Sequence, residues 1–368
     1  MPSTAKLAAT LVADPQISSQ PSALAVTGLP GHRILAQRGD TELVAWRLGA
    51  SPVRKAEELA RFPAPWPARY GTSAVAPDGR LAVFAGVHEL RAVAPDGSVR
   101  WQLRHGCWNG SCRETHLSFD EYADDPDHRY AGGGSAGFAA DGTLVWAHVR
   151  GPLPTGRLDM DTLDEWVVLD AGDGRVLART DARAAAVGSV HVPHPDPRQM
   201  GLSIGEGQDG APARWGRWDG QSLTVYRFED EDLALTGLSP SGDLLLSVTH
   251  DQDRLAVHRT RDGSVLAEAF AESSVPRHPK AEADNDEVYA AWDWAGGFLD
   301  ETTVIAGTVE SDEEWGEGRH WLIDVSLERA PVQVEYPFTV TSPPFAIGEG
   351  SWYTFADAGR TLHAWTLD

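Results

Sequence analysis

Two cysteines are all that 368 residues contain, and lysine is almost as scarce: Lys6, Lys55 and Lys280 are the only three. Two cysteines cannot build the disulfide framework that replaces a core in small secreted folds. Positive charge is short in general, with 31 Lys and Arg against 54 Asp and Glu and a formal net charge of −23. That balance argues against binding a nucleic-acid backbone, which requires a concentrated cationic surface. It argues equally against docking on anionic lipid. No apolar run reaches the roughly 18 to 20 residues of a membrane span. The stretch MPSTAKLAATLVADPQISSQPS has neither the hydrophobic run nor the cleavage pattern of a signal peptide. A soluble, cytoplasmic monomer is therefore expected, in a compartment where thiols are usually kept reduced. Heptad runs, Walker or Rossmann phosphate loops, Gly-x-Ser-x-Gly elbows and HExxH helices are also missing.

What the chain does have is one repeated phrase: a small residue, a turn with Asp, Ser or Gly, then an apolar run. It reads AVAPDGRLAVFAG (74–86), GFAADGTLVWAHV (137–149) and GLSPSGDLLLSV (237–248), with weaker copies at 191–204 and 294–307. Such turns between apolar alternations predict β-hairpins. A second hairpin phrase follows several of the first, as in RAVAPDGSVRWQL (91–103) and VVLDAGDGRVLAR (167–179). Two hairpins make four strands. The equivalent residues Asp78, Asp141, Asp196, Asp243 and Asp300 recur at intervals of 47 to 63, a period that fits the four-stranded blades of a propeller.

The expected fold is all-β, a seven-bladed β-propeller filling residues 1–368. Its blades are placed at 24–60, 70–104, 132–181, 184–230, 231–271, 287–338 and 339–368, with 105–131 inserted as a loop. The last segment supplies only three strands, so AKLAATLV (5–12) is predicted to close that blade and remove a free sheet edge. Trp46, Trp101, Trp146, Trp166, Trp321 and Trp365 fall within predicted strands, as filler between blades. The turns APDGR, AADGT and SPSGD resemble those of bacterial WD40-like propellers over most of the chain, and Trp218-Asp219 stands where that family places its eponymous dipeptide. The other blades lack the dipeptide, and Gly31-His32 is not at the family's Gly-His position. The resemblance implies a binding platform.

In such a fold the A–B and C–D turns open on one face, the B–C and blade-to-blade loops on the other. The first set is short; the second includes 105–131, 150–164, 205–213, 271–287 and 309–318. Long loops in compact domains tend to carry function. These are acidic and aromatic, with Asp120, Glu121, Asp124, Asp125, Asp127, Tyr130, Trp292, Trp294 and Trp315 as the expected binding face. Acid beside aromatic suits a cation, so the expected partner is a protein, a peptide or a small cationic ligand. The alternative is an enzyme with its active site at the channel mouth on that face.

Both cysteines lie in HGCWNGSCRETH (105–116). An Asn109-Gly110 hairpin turn would set Cys107 opposite Cys112, and strand alternation would add His105, Glu114 and His116 to the same side. His105, Cys107, Cys112 and His116 are ligand types that zinc prefers, with Glu114 as a nearby candidate general base. A Zn²⁺ clip, a cross-strand disulfide and plain packed thiols are all open from the sequence. His191 and His194 are expected to be hydrogen-bonded structural residues.

Overall fold

The computed structural model describes residues 2–18, 20, 24–50, 53–109, 112, 115–128, 133–151, 163–280, 289–309, 319–326 and 328–367. Its strands fall into antiparallel groups of four. Strand β1 (Ser3–Val12) is held back for the end of the chain. Strands β2 (Leu24–Thr27), β3 (Ile34–Arg38), β4 (Glu42–Ala50) and β5 (Val53–Pro63) form one sheet, and β6 (Gly71–Val75), β7 (Ala82–Gly86), β8 (Glu89–Val93) and β9 (Val99–Arg104) the next. Strands β10 (Ser135–Phe138), β11 (Leu144–Arg150), β12 (Asp164–Asp170) and β13 (Val176–Asp181) follow. Strands β14 (Gly188–Pro193), β15 (Gln199–Gly205) and β16 (Pro212–Trp218) pair with the first half of the long β17 (Leu223–Leu238). The second half of β17 pairs with β18 (Leu244–Thr249), which leads to β19 (Arg254–Arg259) and β20 (Val265–Phe270). Strands β21 (Trp292–Phe298), β22 (Thr303–Thr308), β23 (Arg319–Asp324) and β24 (Val332–Glu335) are followed by β25 (Phe345–Gly348), β26 (Ser351–Ala356) and β27 (Thr361–Leu367).

Strand β1 completes the last group. It runs antiparallel to β27, from Ala5 opposite Leu367 to Val12 opposite Thr361. Its first residues also touch β24 in parallel, Ser3 beside Val334.

The repeated phrases become turns for a local chemical reason. In the first hairpins, Asp78 Oδ1 accepts the Arg80 amide and Asp141 Oδ1 the Thr143 amide. In the second hairpins Asp96 holds the Ser98 amide and Asp262 the Ser264 amide in the same way. An Asp side chain bonded two residues on mimics a turn of backbone. Gly142 follows at φ +74°, a left-handed conformation that a side chain would resist.

First strands of consecutive groups touch in sequence, β6 on β10, β10 on β14, β17 on β21 and β21 on β25. The core lies between sheets. Val83 and Leu90 of one group meet Val145 and Val167 of the next. Leu24, Leu35 and Val44 of the first group pack on Ile347, Leu362 and Leu11 of the last, so the first and last groups are neighbours. Trp146, Trp166, Trp215, Trp321, Trp352 and Trp365 are among the largest fully buried side chains. The Trp146 and Trp166 rings face each other at 5.2 Å. A Cβ on Gly216 would come within 2.6 Å of Trp146 and 2.7 Å of Trp166. Both rings are fully buried, so overpacking there should destabilise by about 1–3 kcal/mol. Gly216→Ala is expected to lower the denaturation midpoint without changing the slope, a result that chemical unfolding followed by tryptophan fluorescence will check.

Candidate functional site

The connection from β9 to β10 crosses the ends of two neighbouring sheets. Its backbone bonds are long-range: the His105 amide donates to the His88 carbonyl, Gly106 to Arg150 and Trp108 to Val87, each at 2.9 Å. The Cys112 amide donates to the Asn109 carbonyl at 2.9 Å. Asn109 Nδ2 reaches on to the Asp127 carbonyl at 3.0 Å. Two single turns of 3₁₀ helix follow, Phe119–Glu121 and Pro126–His128.

This geometry corrects the expected hairpin. The amides of His105, Gly106 and Trp108 bond to adjacent sheets, so these residues are positioned by those sheets rather than by a hairpin of their own. His105 turns its Nδ1 to the Gly106 carbonyl at 2.7 Å, lies edge-on to Trp108 and is not in the group of donor atoms that gathers around the cysteines. Burial depresses its pKa to about 4. The sequence-expected quartet is therefore not brought together as a whole.

A different quartet is. One donor atom from each of Cys107, Cys112, His116 and His128 lies within 4.8 Å of the others, a group that could hold a metal ion. Cys112 Sγ is 3.3 Å from His116 Nε2, and the two Nε2 atoms of His116 and His128 are 3.2 Å apart. The outer nitrogens face carboxylates: His116 Nδ1 is 3.4 Å from Glu121 Oε2, and His128 Nδ1 is 2.8 Å from Asp125 Oδ2. The Asp127 amide and the His128 ring hold Asp125 below the usual carboxylate range. Tyr122 stacks on His128 at 5.0 Å and places its hydroxyl 2.6 Å from His88 Nδ1. Cys107, Tyr122, His116 and His128 are buried, Cys112 half-buried, and the cysteines are not joined. Burial pushes the Cys107 thiol up to about 12. Sequence reasoning missed His128. The only local signal is the Asp-x-x-His spacing from Asp125.

Of the expected binding-face residues, Asp120, Glu121, Asp124 and Asp127 are exposed on this loop, with Asp125 half-buried. Glu114, Tyr130 and Trp315 lie outside the described residues. Trp292 is not on the face: it is 0% exposed and donates Nε1–H to the Ala269 carbonyl at 2.9 Å. Trp294 is 49% exposed and stacks on His250 at 5.8 Å. The reason the two part is a register shift between Trp292 and Gly296, which breaks the same-face spacing of i and i+2. His250 and Trp294 stand beside an open cavity of about 430 Å³, lined among others by Asp232, Asp251, Asp253 and Phe270.

No family model matches the chain, and no curated protein matches it. Solved structures do. U3-55K aligns over 97% of this chain and 98% of its own, with a TM-score of 0.55 and 11% identity. The β-propeller domain of Cps50 (Swd1) from Myceliophteria thermophila aligns over 82% of this chain and 97% of its own, with a TM-score of 0.37 and 12% identity. The likeness to U3-55K is one of fold, an all-β propeller-like arrangement of four-stranded groups.

Elsewhere in this propeller, several buried ionisable groups are hydrogen-bonded or ion-paired. His191 accepts from Trp166 Nε1 at 3.1 Å and meets Ser135 Oγ at 2.9 Å. His194 accepts the Asp196 amide at 2.9 Å and reaches the Gly242 carbonyl at 3.0 Å. Burial raises the carboxyl pKa values of Glu89 and Asp164, yet each is paired with an arginine, Arg91 and Arg150 respectively. Neither lines the described cavity. Among the described residues no helix is long and apolar enough to cross a membrane.

Proposed function

We propose that the chain is a seven-bladed propeller acting as a docking platform for a cationic partner, a basic protein segment or peptide, on its long-loop face. Blade boundaries follow the four-strand groups, with β1 closing the last. The observation that carries the reading is the set of exposed acids on the loops, Asp120, Asp124 and Asp127 on the 105–134 connection and Asp251 and Asp253 at the cavity where the exposed Trp294 stacks on His250. Carboxylates attract the cation at long range, and an aromatic face contributes contact once it arrives. The fold similarity to U3-55K supports a platform. A net charge of −23 supports a monomer with no nucleic-acid or membrane partner, and cytoplasmic residence belongs to the same proposal.

The enzyme alternative draws less support, because the raised carboxylates are ion-paired within the propeller wall rather than set in an open cavity. The test uses an arginine-rich peptide as probe. Its affinity should fall steeply between 0.1 M and 1 M salt, as the screening length shrinks from about 10 Å to about 3 Å. The triple variant Asp120→Asn, Asp124→Asn, Asp127→Asn should bind about tenfold more weakly. Its stability should stay within roughly 1 kcal/mol, since all three side chains are exposed. Calorimetric titration showing the same affinity for variant and parent would remove these acids from the docking surface.

A further inference from the structure

We propose that Cys107, Cys112, His116 and His128 bind one Zn²⁺ in a closed tetrahedral site, with Glu121 and Asp125 as positioning residues. The inference is independent of the platform reading and stands on three observations.

The first is the donor set and its spacing. Two sulfurs and two imidazole nitrogens within 4.8 Å of one another are soft and borderline ligands gathered at one point. Zinc bonds of about 2.0–2.1 Å to nitrogen and 2.3 Å to sulfur give a tetrahedron with edges of roughly 3.3 to 3.8 Å. The 3.2 Å between the two Nε2 atoms and the 3.3 Å from Cys112 Sγ to His116 Nε2 are close to those edges already. A tetrahedral S₂N₂ set with no carboxylate in it selects zinc over magnesium or calcium. Four protein donors fill the coordination sphere, so the site is structural rather than catalytic.

The second observation is proton placement. Each histidine presents Nδ1 to a carboxylate, His128 to Asp125 at 2.8 Å and His116 to Glu121 at 3.4 Å. A carboxylate accepts, so the neutral ring with its proton on Nδ1 turns its Nε2 lone pair inward. The two Nε2 atoms then face each other at 3.2 Å, an arrangement a bound cation would bridge. This carboxylate–histidine arrangement fixes ring orientation and ligand basicity around zinc sites generally. Glu121 also accepts the Leu117 amide, at 3.1 Å, so the carboxylate is itself held in place.

The third is what the loop has to hold it. Among its described residues the 105–134 connection contains no strand, only two 3₁₀ turns and a few buried rings. A metal that ties residues 107 and 112 to 116 and 128 closes the whole segment in one step, and the binding free energy becomes ordering free energy. A disulfide between residues 107 and 112 would close only the tight turn at Asn109 and leave both 3₁₀ turns untied.

The test begins with purified protein loaded with Zn²⁺ and freed of excess metal. Elemental analysis should find one zinc per chain. Replacement by Co²⁺ should give the ligand-field and thiolate charge-transfer bands of a tetrahedral S₂N₂ site. Cys107→Ser with Cys112→Ser should lose the metal, and so should His128→Gln, whereas His105→Gln should keep it. Glu121→Gln with Asp125→Asn should retain one zinc but lose 10- to 100-fold in affinity by chelator competition. Wild-type protein that takes up no zinc or cobalt overturns the site, whether its thiols titrate as two or, joined in a disulfide, as none. A His105→Gln variant that loses the metal while His128→Gln keeps it overturns the ligand set. The Co²⁺ spectrum of the wild type reads the site without relying on any variant's folding.

Discussion

Acidification from pH 7 towards pH 4 is expected to unfold this protein, in the window where most globular carboxylates are still ionised. Three buried histidines outside the Cys107, Cys112, His116 and His128 group drive it. His148, His191 and His320 are each depressed to about 3, by burial first of all. His148 lies on β11 with both ring nitrogens unbonded, Asp164 Oδ2 being 3.8 Å from its Nε2, and Arg150 and Arg214 add repulsion to its protonated form. His320 on β23 shares Nδ1 with the Tyr336 hydroxyl at 2.6 Å, and a backbone hydrogen bond with Ser342 only partly offsets its burial. His191 is held by Ser135 and Trp166. In the unfolded chain these rings titrate near 6.5. Between that value and about 3 the unfolded state binds a proton at each and the native state does not. Stability is therefore full above pH 6.5 and falls as pH drops. One such group changes stability by about 1.4 kcal/mol per pH unit, three by roughly 4, against a total of about 5–15 kcal/mol. Glu89 and Asp164 act in the opposite sense, because their raised values let the folded state take up protons early. They reduce the slope without reversing it. Urea midpoints measured from pH 7 to pH 4.5 should fall steeply, and His148→Gln should flatten the curve. A midpoint independent of pH across that range would mean these rings are hydrated or protonated in the native state.

The parts of this molecule that could be read from sequence are those whose physics is local. Asp78, Asp141 and Asp262 set their turns through bonds to amides two residues away, and no distant partner is needed for the phrase to mean a turn. The tryptophans at 146, 166, 321 and 365 follow from alternation within regular strands. Reading failed where a backbone met a neighbour. The segment 105–108 carries a good hairpin sequence, but the carbonyls of Val87, His88 and Arg150 capture its amides, and His105 is not among the donors gathered around the cysteines. His128 joins them across two 3₁₀ turns, a contact that no spacing rule encodes. Trp292 and Trp294 separate because β21 is irregular at the glycines Gly296 and Gly297, both at positive φ near 150°. The two glycines permit such a shift, but where the strand regains its register is seen only in its pairing with β22.

Ring closure is the remaining long-range feature, and removing it should have the largest effect of any terminal change. Strand β1 was expected at 5–12 because three strands at the other end of the chain lacked a fourth; it runs from Ser3 to Val12. Its pairing with β27 is backed by a second clasp. The Asp14 amide donates to Gln37 Oε1 at 2.9 Å and Gln37 Nε2 donates to the Asp14 carbonyl at 2.7 Å, with Gln37 wholly buried on β3. The N-terminal segment thus joins the last sheet to the first. Deleting residues 2–14 removes the β27 ladder, worth about 1 kcal/mol net per hydrogen bond, and the burial of Leu11, worth about 1.5–3 kcal/mol. It also strands the Gln37 amide in the core at a cost of about 1–3 kcal/mol. Together these rival the stability of a typical domain. The truncated chain should lose its cooperative melt or melt more than about 15 °C lower, and a synthetic peptide of residues 1–16 should restore it by strand addition. Within β1 the effect should follow burial: Leu11→Ala costs about 2–3 kcal/mol, whereas Leu7→Ala, at 38% exposure, costs under about 1. Calorimetry on these variants separates closure from mere chain length, because a protein lacking residues 2–14 that melts with the full-length one leaves β1 as a passive appendage on an already complete sheet.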